Sequence, residues 1–221
     1  MMNIDCHCHL LPGVDDGCQK LEESLEILEA MKSKGAERVY LTPHLFCPRS
    51  PTDIAEIRNS WEENSSHLNS AGVEVLIGSE VFLSPRALSE EMIPLGSTDL
   101  LLIELPTDAR PPYLFEAISI LQERGYRVII AHIERYRYFF KRGIFPFSRS
   151  RIDDDLFRLK DVGVLFQINW DSLNGDGQFE DLFRNRMIEF VGSDKHYPRD
   201  NREIIDFSKD SYNLFMNDYY L

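Results

Sequence analysis

The sequence predicts an α/β protein whose parallel strands close into a barrel. Three observations carry that expectation. Seven short apolar segments alternate with amphipathic helical stretches. Several of those segments are continuously apolar, as strands covered on both faces are. The polar residues able to do chemistry fall at the ends of the segments. Strands alternating with helices imply parallel pairing through right-handed crossovers. A barrel related to the (β/α)8 class fits this pattern, and an open doubly wound sheet is the competing architecture.

The strand segments, in order, are NIDCHCH (3–9), RVYLTPH (38–44), VEVLIGSE (73–80), DLLLIEL (99–105), RVIIAH (127–132), GVLFQIN (163–169) and IEFVGSD (188–194). They are rich in Val, Ile and Leu and bounded by turn residues. Between them, LEESLEILEAMKSKG sets Leu21, Leu25, Leu28 and Met31 on one helical face, with Gly35 as the stop. PPYLFEAISILQERG repeats the design with Leu114, Ile118 and Leu121 before Gly125. In the first strand, alternation puts Asp5, His7 and His9 on one face. Ile4, Cys6, Cys8 and Leu10 take the other, where Cys6 and Cys8 are expected to pack as small buried hydrophobes.

Composition bounds the function. The chain has 221 residues, 43% of them hydrophobic, which suits one domain spanning residues 1–221. The formal net charge of −13 disfavours general nucleic-acid binding, which needs clustered Lys and Arg. No run of about 18 uncharged apolar residues is present, so no membrane insertion is expected. Only Met1–Ile4 precede the histidine-rich stretch, too few for a secretory leader. Four cysteines (Cys6, Cys8, Cys18, Cys47) form no disulfide pattern, and a reducing cytoplasm is the expected location. Composition leaves the oligomeric state open.

The strand ends hold the candidate site. The first gives His7 and His9, with Asp16 in the following loop; the second gives His44, the third Glu80, and the fourth Glu104. The fifth gives His132 and Arg135, the sixth Asn169, and the seventh Asp194 and His196. Five of the six histidines thus fall at one end of the sheet, where parallel barrels build active sites. His67, in the polar run WEENSSHLNS, reads as a surface residue. A set of imidazoles and carboxylates without thiolate suits Zn²⁺, Mn²⁺ or Fe²⁺. Nine such donors exceed the needs of one ion and imply two or three, with Glu80 placed to bridge.

In this order, HCH, DDG, TPH, GSE, AHIERY, FQIN and GSDKH resemble the PHP superfamily, named for polymerase and histidinol phosphatase domains. HCHLLPGVDDG, HIERY and FQINWDSLNGDG are similar to its bacterial tyrosine-protein phosphatase branch, found with capsule and exopolysaccharide synthesis. The resemblance runs from Asp5 to His196. It implies a distorted, TIM-like parallel (β/α)7 barrel (the PHP fold) and three divalent ions, usually Mn²⁺, with Fe or Zn as alternatives. By motif, His7, His9, Glu80 and Asp194 would hold one ion. Glu80, Glu104 and His132 would hold a second, and Asp16, His44 and His196 a third. Two departures stand out: Ile133 replaces the branch's usual proline, and neither Arg199 nor Arg202 stands at the family's expected offset beyond the last histidine.

The expected activity is hydrolysis of a phosphomonoester by metal-activated hydroxide. The expected substrate is phosphotyrosine on the tail of a bacterial tyrosine kinase. Arg135 would clamp the phosphate, with an ion pair to a nearby carboxylate as its alternative role, and Arg199 or Arg202 would add a second clamp. No nucleophilic cysteine is required, because Cys47 is followed too closely by Arg49 for a C-x-x-x-x-x-R loop. The basic stretch KRGIFPFSRSRI, with Lys141, Arg142, Arg149 and Arg151, is expected to dock an acidic or phosphorylated tail, with a solvated loop as its alternative role. The final SYNLFMNDYYL is expected to close C-terminal packing through Tyr219 and Tyr220, its alternative being a resemblance to the tyrosine-rich substrate tails of the kinases such phosphatases oppose. The alternative activity is a small-molecule phosphatase of the histidinol-phosphate type, set apart by Asp16 and Glu104 where that branch is richer in histidine. A non-catalytic, metal-stabilised regulator and a PHP-type nuclease are the remaining classes.

Overall fold

The computed structural model describes residues 2–141, 151–173 and 179–208. Most of the basic 141–152 stretch and all of 211–221 lie outside them. The strands are β1 (Ile4–Cys8), β2 (Arg38–Leu41), β3 (His44–Leu45), β4 (Glu74–Ile77), β5 (Glu80–Phe82), β6 (Leu100–Glu104), β7 (Arg127–Ile130), β8 (Phe140–Lys141), β9 (Arg151–Ile152), β10 (Leu165–Asn169) and β11 (Phe190–Gly192). The helices are α1 (Leu21–Ser33), α2 (Ile54–Asn69), α3 (Leu114–Glu123), α4 (Asp154–Asp161), α5 (Trp170–Leu173) and α6 (Glu180–Arg184).

Parallel pairing runs β1–β2–β4 in one sheet and β3–β5–β6–β7–β10–β11 in the other. β2 and β3 are two halves of one stave, and so are β4 and β5, so the sheets merge into seven staves. β11 returns to β1. Cys8 forms a parallel bridge with Lys195, His9 N–H donates to the Lys195 carbonyl at 2.7 Å, and Asp194 N–H donates to the His7 carbonyl at 2.8 Å. This closure excludes the open doubly wound sheet. A β-carbon added at Gly192 would lie 2.5 Å from the His7 Cβ, so glycine there lets β11 approach β1. Outside the barrel, β8 and β9 form a short antiparallel pair.

Three local expectations need correction. The second and third strand segments are each broken, at Thr42–Pro43 and Gly78–Ser79, so His44 and Glu80 open new short strands instead of closing long ones. Pro43 has no N–H to give the ladder, and Gly78 admits Leu95, whose Cδ2 would meet an added Cβ at 2.7 Å. Strict alternation in β1 also fails. Asp5 pairs with Val39 but Cys8 with Leu41, so three steps of β1 face two of β2 and the strand bulges. Cys6 therefore packs with Tyr40, Leu102, Ile129 and Ala131, while Cys8 and Leu10 join the helix-side core. The third correction concerns α1. Its buried face is Ser24, Ile27, Leu28 and Met31, with Leu21 and Leu25 only half-buried.

Alternation on the other staves sets the two apolar layers. Tyr40, Leu102 and Ile129 share one side with Cys6. Val39, Leu41, Leu101, Ile103, Val128 and Ile130 face the opposite way, against the helices. α2 is started by Asp53, whose carboxylate accepts from the N–H groups of Ala55 and Glu56 at 2.8 and 2.9 Å. α3 buries Leu114, Ala117, Ile118 and Leu121, matching the face read from sequence. Among the described residues no helix is long and apolar enough to cross a membrane.

Candidate metal centre

Every stave delivers a polar side chain to one end of the barrel. His7 lies within β1 and His9 just beyond it; Glu104 and Asn169 end β6 and β10; His132 and Asp194 follow β7 and β11 by two residues. His132 (φ +30°) and Asp194 (φ +52°) both adopt left-handed backbone, a strain that the closed barrel holds in place. His7, His9, Glu80, Glu104, His132, Asp194 and His196 are buried, His44 is half-buried and Asp16 is exposed.

Glu80 is the hub. Its Oε1 lies 2.7 Å from His132 Nε2 and 3.5 Å from His7 Nε2, and its Oε2 lies 2.9 Å from His44 Nδ1 and 3.4 Å from His9 Nε2. Asp194 Oδ1 faces His7 Nε2 at 3.6 Å and His9 Nε2 at 3.4 Å. Asp16 Oδ1 lies 3.5 Å from both His44 Nε2 and His196 Nε2. Donor atoms within 4.8 Å of one another define His7–His9–Asp194, Glu80–Glu104–His132 and His9–Asp16–His44–His196. His9 belongs to two of these groups, a sharing that the motif partition did not include. A further group brings Cys47 beside His44 and Glu104.

Four imidazoles are anchored through Nδ1 so that Nε2 turns inward. His9 Nδ1 lies 2.7 Å from Asp15 Oδ2, and His7 Nδ1 lies 3.2 Å from Gln167 Oε1. His132 Nδ1 is 3.2 Å from the Tyr136 hydroxyl, and His196 Nδ1 is 2.9 Å from the Asp194 carbonyl oxygen. An oxygen partner on the far nitrogen is the arrangement that orients metal-ligating histidines. Asp15 also accepts from His44 N–H at 2.9 Å and Gly17 N–H at 3.0 Å, so one carboxylate sets the whole loop. Sequence reading missed Asp15, Gln167 and Tyr136. Gln167 stands two residues before Asn169 on the same strand face, the one signal that marked it.

The charges are unbalanced without a cation. Burial opposes charge on His9, yet Asp15, Asp194 and Glu80 raise its pKa well above the usual imidazole value. Burial would raise Glu80, but His7, His44 and His132 hold it well below the carboxylate range. Burial and the Glu80 charge push Glu104 up to about 7. Burial and Arg135 press His132 down to about 4, and burial and His9 press His196 down to about 4. The buried Glu104 Oε2 has no hydrogen-bond partner. Inward Nε2 atoms, crowded carboxylates and an orphaned buried carboxylate oxygen fit divalent cations.

The arginines separate clearly. Asp194 Oδ2 accepts from Arg135 Nη2, from Arg202 Nε at 3.1 Å and from Asn169 Nδ2 at 3.2 Å. Arg135 thus forms the carboxylate pair named above as its alternative role. Arg202 is placed by a staple: Lys195 Nζ donates to the carbonyl oxygens of Asp200 and Arg202 at 3.2 and 2.7 Å, and Asp200 Oδ1 accepts from Arg202 N–H at 3.1 Å. Arg199 is exposed, with no acidic partner among the described residues. Arg49, which sequence reading missed, lies 3.7 Å from Glu104 Oε1.

A closed β/α barrel carrying this donor cluster and its flanking arginines defines a metal-dependent phosphoesterase. Residues 3–206 match the family model for capsular polysaccharide synthesis, CpsB/CapC, and the chain belongs to that family. CapC of Staphylococcus aureus is 30% identical over 207 residues, covering 87% of this chain and 76% of that protein. A crystal structure from work on YwqE of Bacillus subtilis and CpsB of Streptococcus pneumoniae, described as metal-dependent tyrosine phosphatases, superposes with a TM-score of 0.78 at 25% identity. It covers 98% of this chain and 87% of that one. Histidinol phosphate phosphatase of Lactococcus lactis shares the fold, with a TM-score of 0.60 at 16% identity over 98% of this chain and 93% of that one.

Proposed function

We propose that the protein hydrolyses phosphotyrosine on a protein substrate, with three divalent cations, manganese foremost, held by His7, His9, Asp16, His44, Glu80, Glu104, His132, Asp194 and His196. The convergence of these nine donors with two arginines at one barrel mouth carries the reading. The family's metal-dependent tyrosine phosphatases support it. When bound, the cations supply a water of lowered pKa and positive charge for the phosphoryl oxygens.

The chain's own residues do the positioning. Asp15, Gln167 and Tyr136 fix the imidazoles. Arg135 and Arg202 tie down Asp194 Oδ2 while about a third of each side chain stays exposed, at 36% and 32%, to meet an incoming phosphate. In-line displacement then requires the phenolate oxygen to leave on the side away from the attacking water. The tyrosine-bearing tail of a bacterial kinase is the partner this reading favours. Four free, buried cysteines suit a reducing compartment.

The test is turnover by protein stripped with chelator and reloaded with manganese. A phosphotyrosine peptide should be hydrolysed far faster than L-histidinol phosphate, and only after reloading. Turnover that survives exhaustive chelation, or a preference for histidinol phosphate, contradicts the reading.

A further inference from the structure

One group of donors overlaps the centre and adds a residue, Cys47, that the phosphatase reading does not use. The Cys47 sulfur, a His44 nitrogen and a Glu104 oxygen lie within 4.8 Å of one another. Cys47 is 2% exposed and Glu104 3%. Phe46, at φ +63°, turns the chain just before Cys47. Glu104 Oε2, beside Cys47, is buried without a hydrogen-bond partner among the described residues, and the acidic partner near His44 Nδ1 is Glu80 Oε2 at 2.9 Å. Among the described residues this is the one donor group that includes sulfur. Cys47 also lines an open cleft of about 350 Å³ whose wall carries Asp53, Glu56 and Arg86.

We propose that Cys47, His44 and Glu104 form a separate thiolate-bearing position that takes a zinc-class cation, zinc or cadmium, and that filling it inhibits the enzyme. The chemistry differs from that of the neighbouring groups. A thiolate adds a soft donor that favours zinc-class ions, whereas the neighbouring groups offer only imidazole and carboxylate. Binding forms a metal–sulfur bond and releases the Cys47 thiol proton to solvent, with no change of oxidation state. Inhibition follows from shared ligands. Glu104 also belongs to the Glu80–His132 group and His44 to the His9–Asp16–His196 group, so a thiolate-held ion draws one ligand from each.

The experiment titrates the metal-free full chain with Co²⁺ and reads thiolate-to-cobalt charge-transfer absorption. Wild type should develop the band. Cys47→Ser and Cys47→Ala should lose it while keeping the weaker cobalt absorption of the imidazole groups, and Cys6→Ala should retain it. In a second arm, cadmium is added to manganese-loaded protein. Each Cys47 variant, measured against its own manganese-only rate, should need about tenfold more cadmium for half-inhibition. Absence of the band in wild type, or its persistence in both Cys47 variants, overturns the proposal, as does equal cadmium sensitivity. The spectroscopic arm uses no turnover, so its failure is distinct from failure of the phosphatase reading. Circular dichroism confirms folding of each variant, and serine preserves the side-chain volume if alanine does not fold.

Discussion

At the residue scale, the centre depends as much on what holds the imidazoles as on the imidazoles. Asp15 fixes the ring of His9, a residue common to two donor groups. Asp15→Asn keeps the shape but alters the hydrogen bond. Manganese affinity by calorimetry should fall roughly 10–100-fold, the usual cost of losing such an orienting partner, with the fold intact. Protonation gives a second prediction. In the metal-free protein His9 is raised well above the usual imidazole value and Glu104 to about 7, so each holds more protons folded than unfolded at neutral pH. With Glu134 they outweigh His132 and His196, which are pressed down to about 4 and act the other way. Glu134, raised by burial to about 7, acts in the same direction. Their stabilisation is present in acid and lost as pH rises through the folded values. Metal-free protein should therefore melt at lower temperature as pH climbs from 6.5 through 7. Saturating manganese, which requires the neutral imidazole and ionised carboxylate, should remove the His9 and Glu104 parts of that fall. The candidate donors were legible in sequence because imidazoles at strand ends are chemically conspicuous. Their anchors were not, since one aspartate of a pair carries no pattern and Gln167 is marked only by sharing a strand face with Asn169. Spacing also left Arg199 and Arg202 undecided, because only the folded Lys195–Asp200 staple selects between them.

At the element scale, backbone breaks build the site. The bulge in β1, the interruption at Thr42–Pro43 and the step at Gly78–Ser79 turn His7, His44 and Glu80 toward one another. Hydrophobic patterning revealed seven staves, but a bulge depends on pairing with β2, which no single strand encodes. The loop after β1 is equally constrained. A Cβ at Gly17 would lie 1.9 Å from the His9 carbonyl oxygen. Gly17→Ala must displace the Asp15–Asp16 turn, so it should abolish turnover and lower the melting temperature together. The segment after β11 separates the two effects. Asp200→Asn weakens the acceptor that holds Lys195, the Arg202 backbone and, at 2.7 Å, the His196 N–H, so KM for a phosphotyrosine peptide should rise roughly tenfold, with a smaller fall in kcat. An equal loss in kcat and kcat/KM would assign Asp200 a role in the chemical step instead.

At the scale of the whole molecule, barrel closure and cation binding are coupled. β1 and β11 meet through the His7 carbonyl and Asp194 N–H, and the same two residues supply candidate ligands. A cation between them ties the closing seam, in a chain whose formal charge of −13 gains from positive ligands. One ion at a hundred times its Kd contributes about 2.7 kcal/mol. For a protein of this size that corresponds to about 5–10 °C in Tm, so calorimetry with and without chelator should show at least that difference. Anomalous diffraction from crystals grown with manganese decides whether these side chains cage divalent cations. Manganese peaks should appear within the His7–His9–Asp194, Glu80–Glu104–His132 and His9–Asp16–His44–His196 groups. A map with no anomalous density at the barrel mouth under saturating manganese would contradict that expectation.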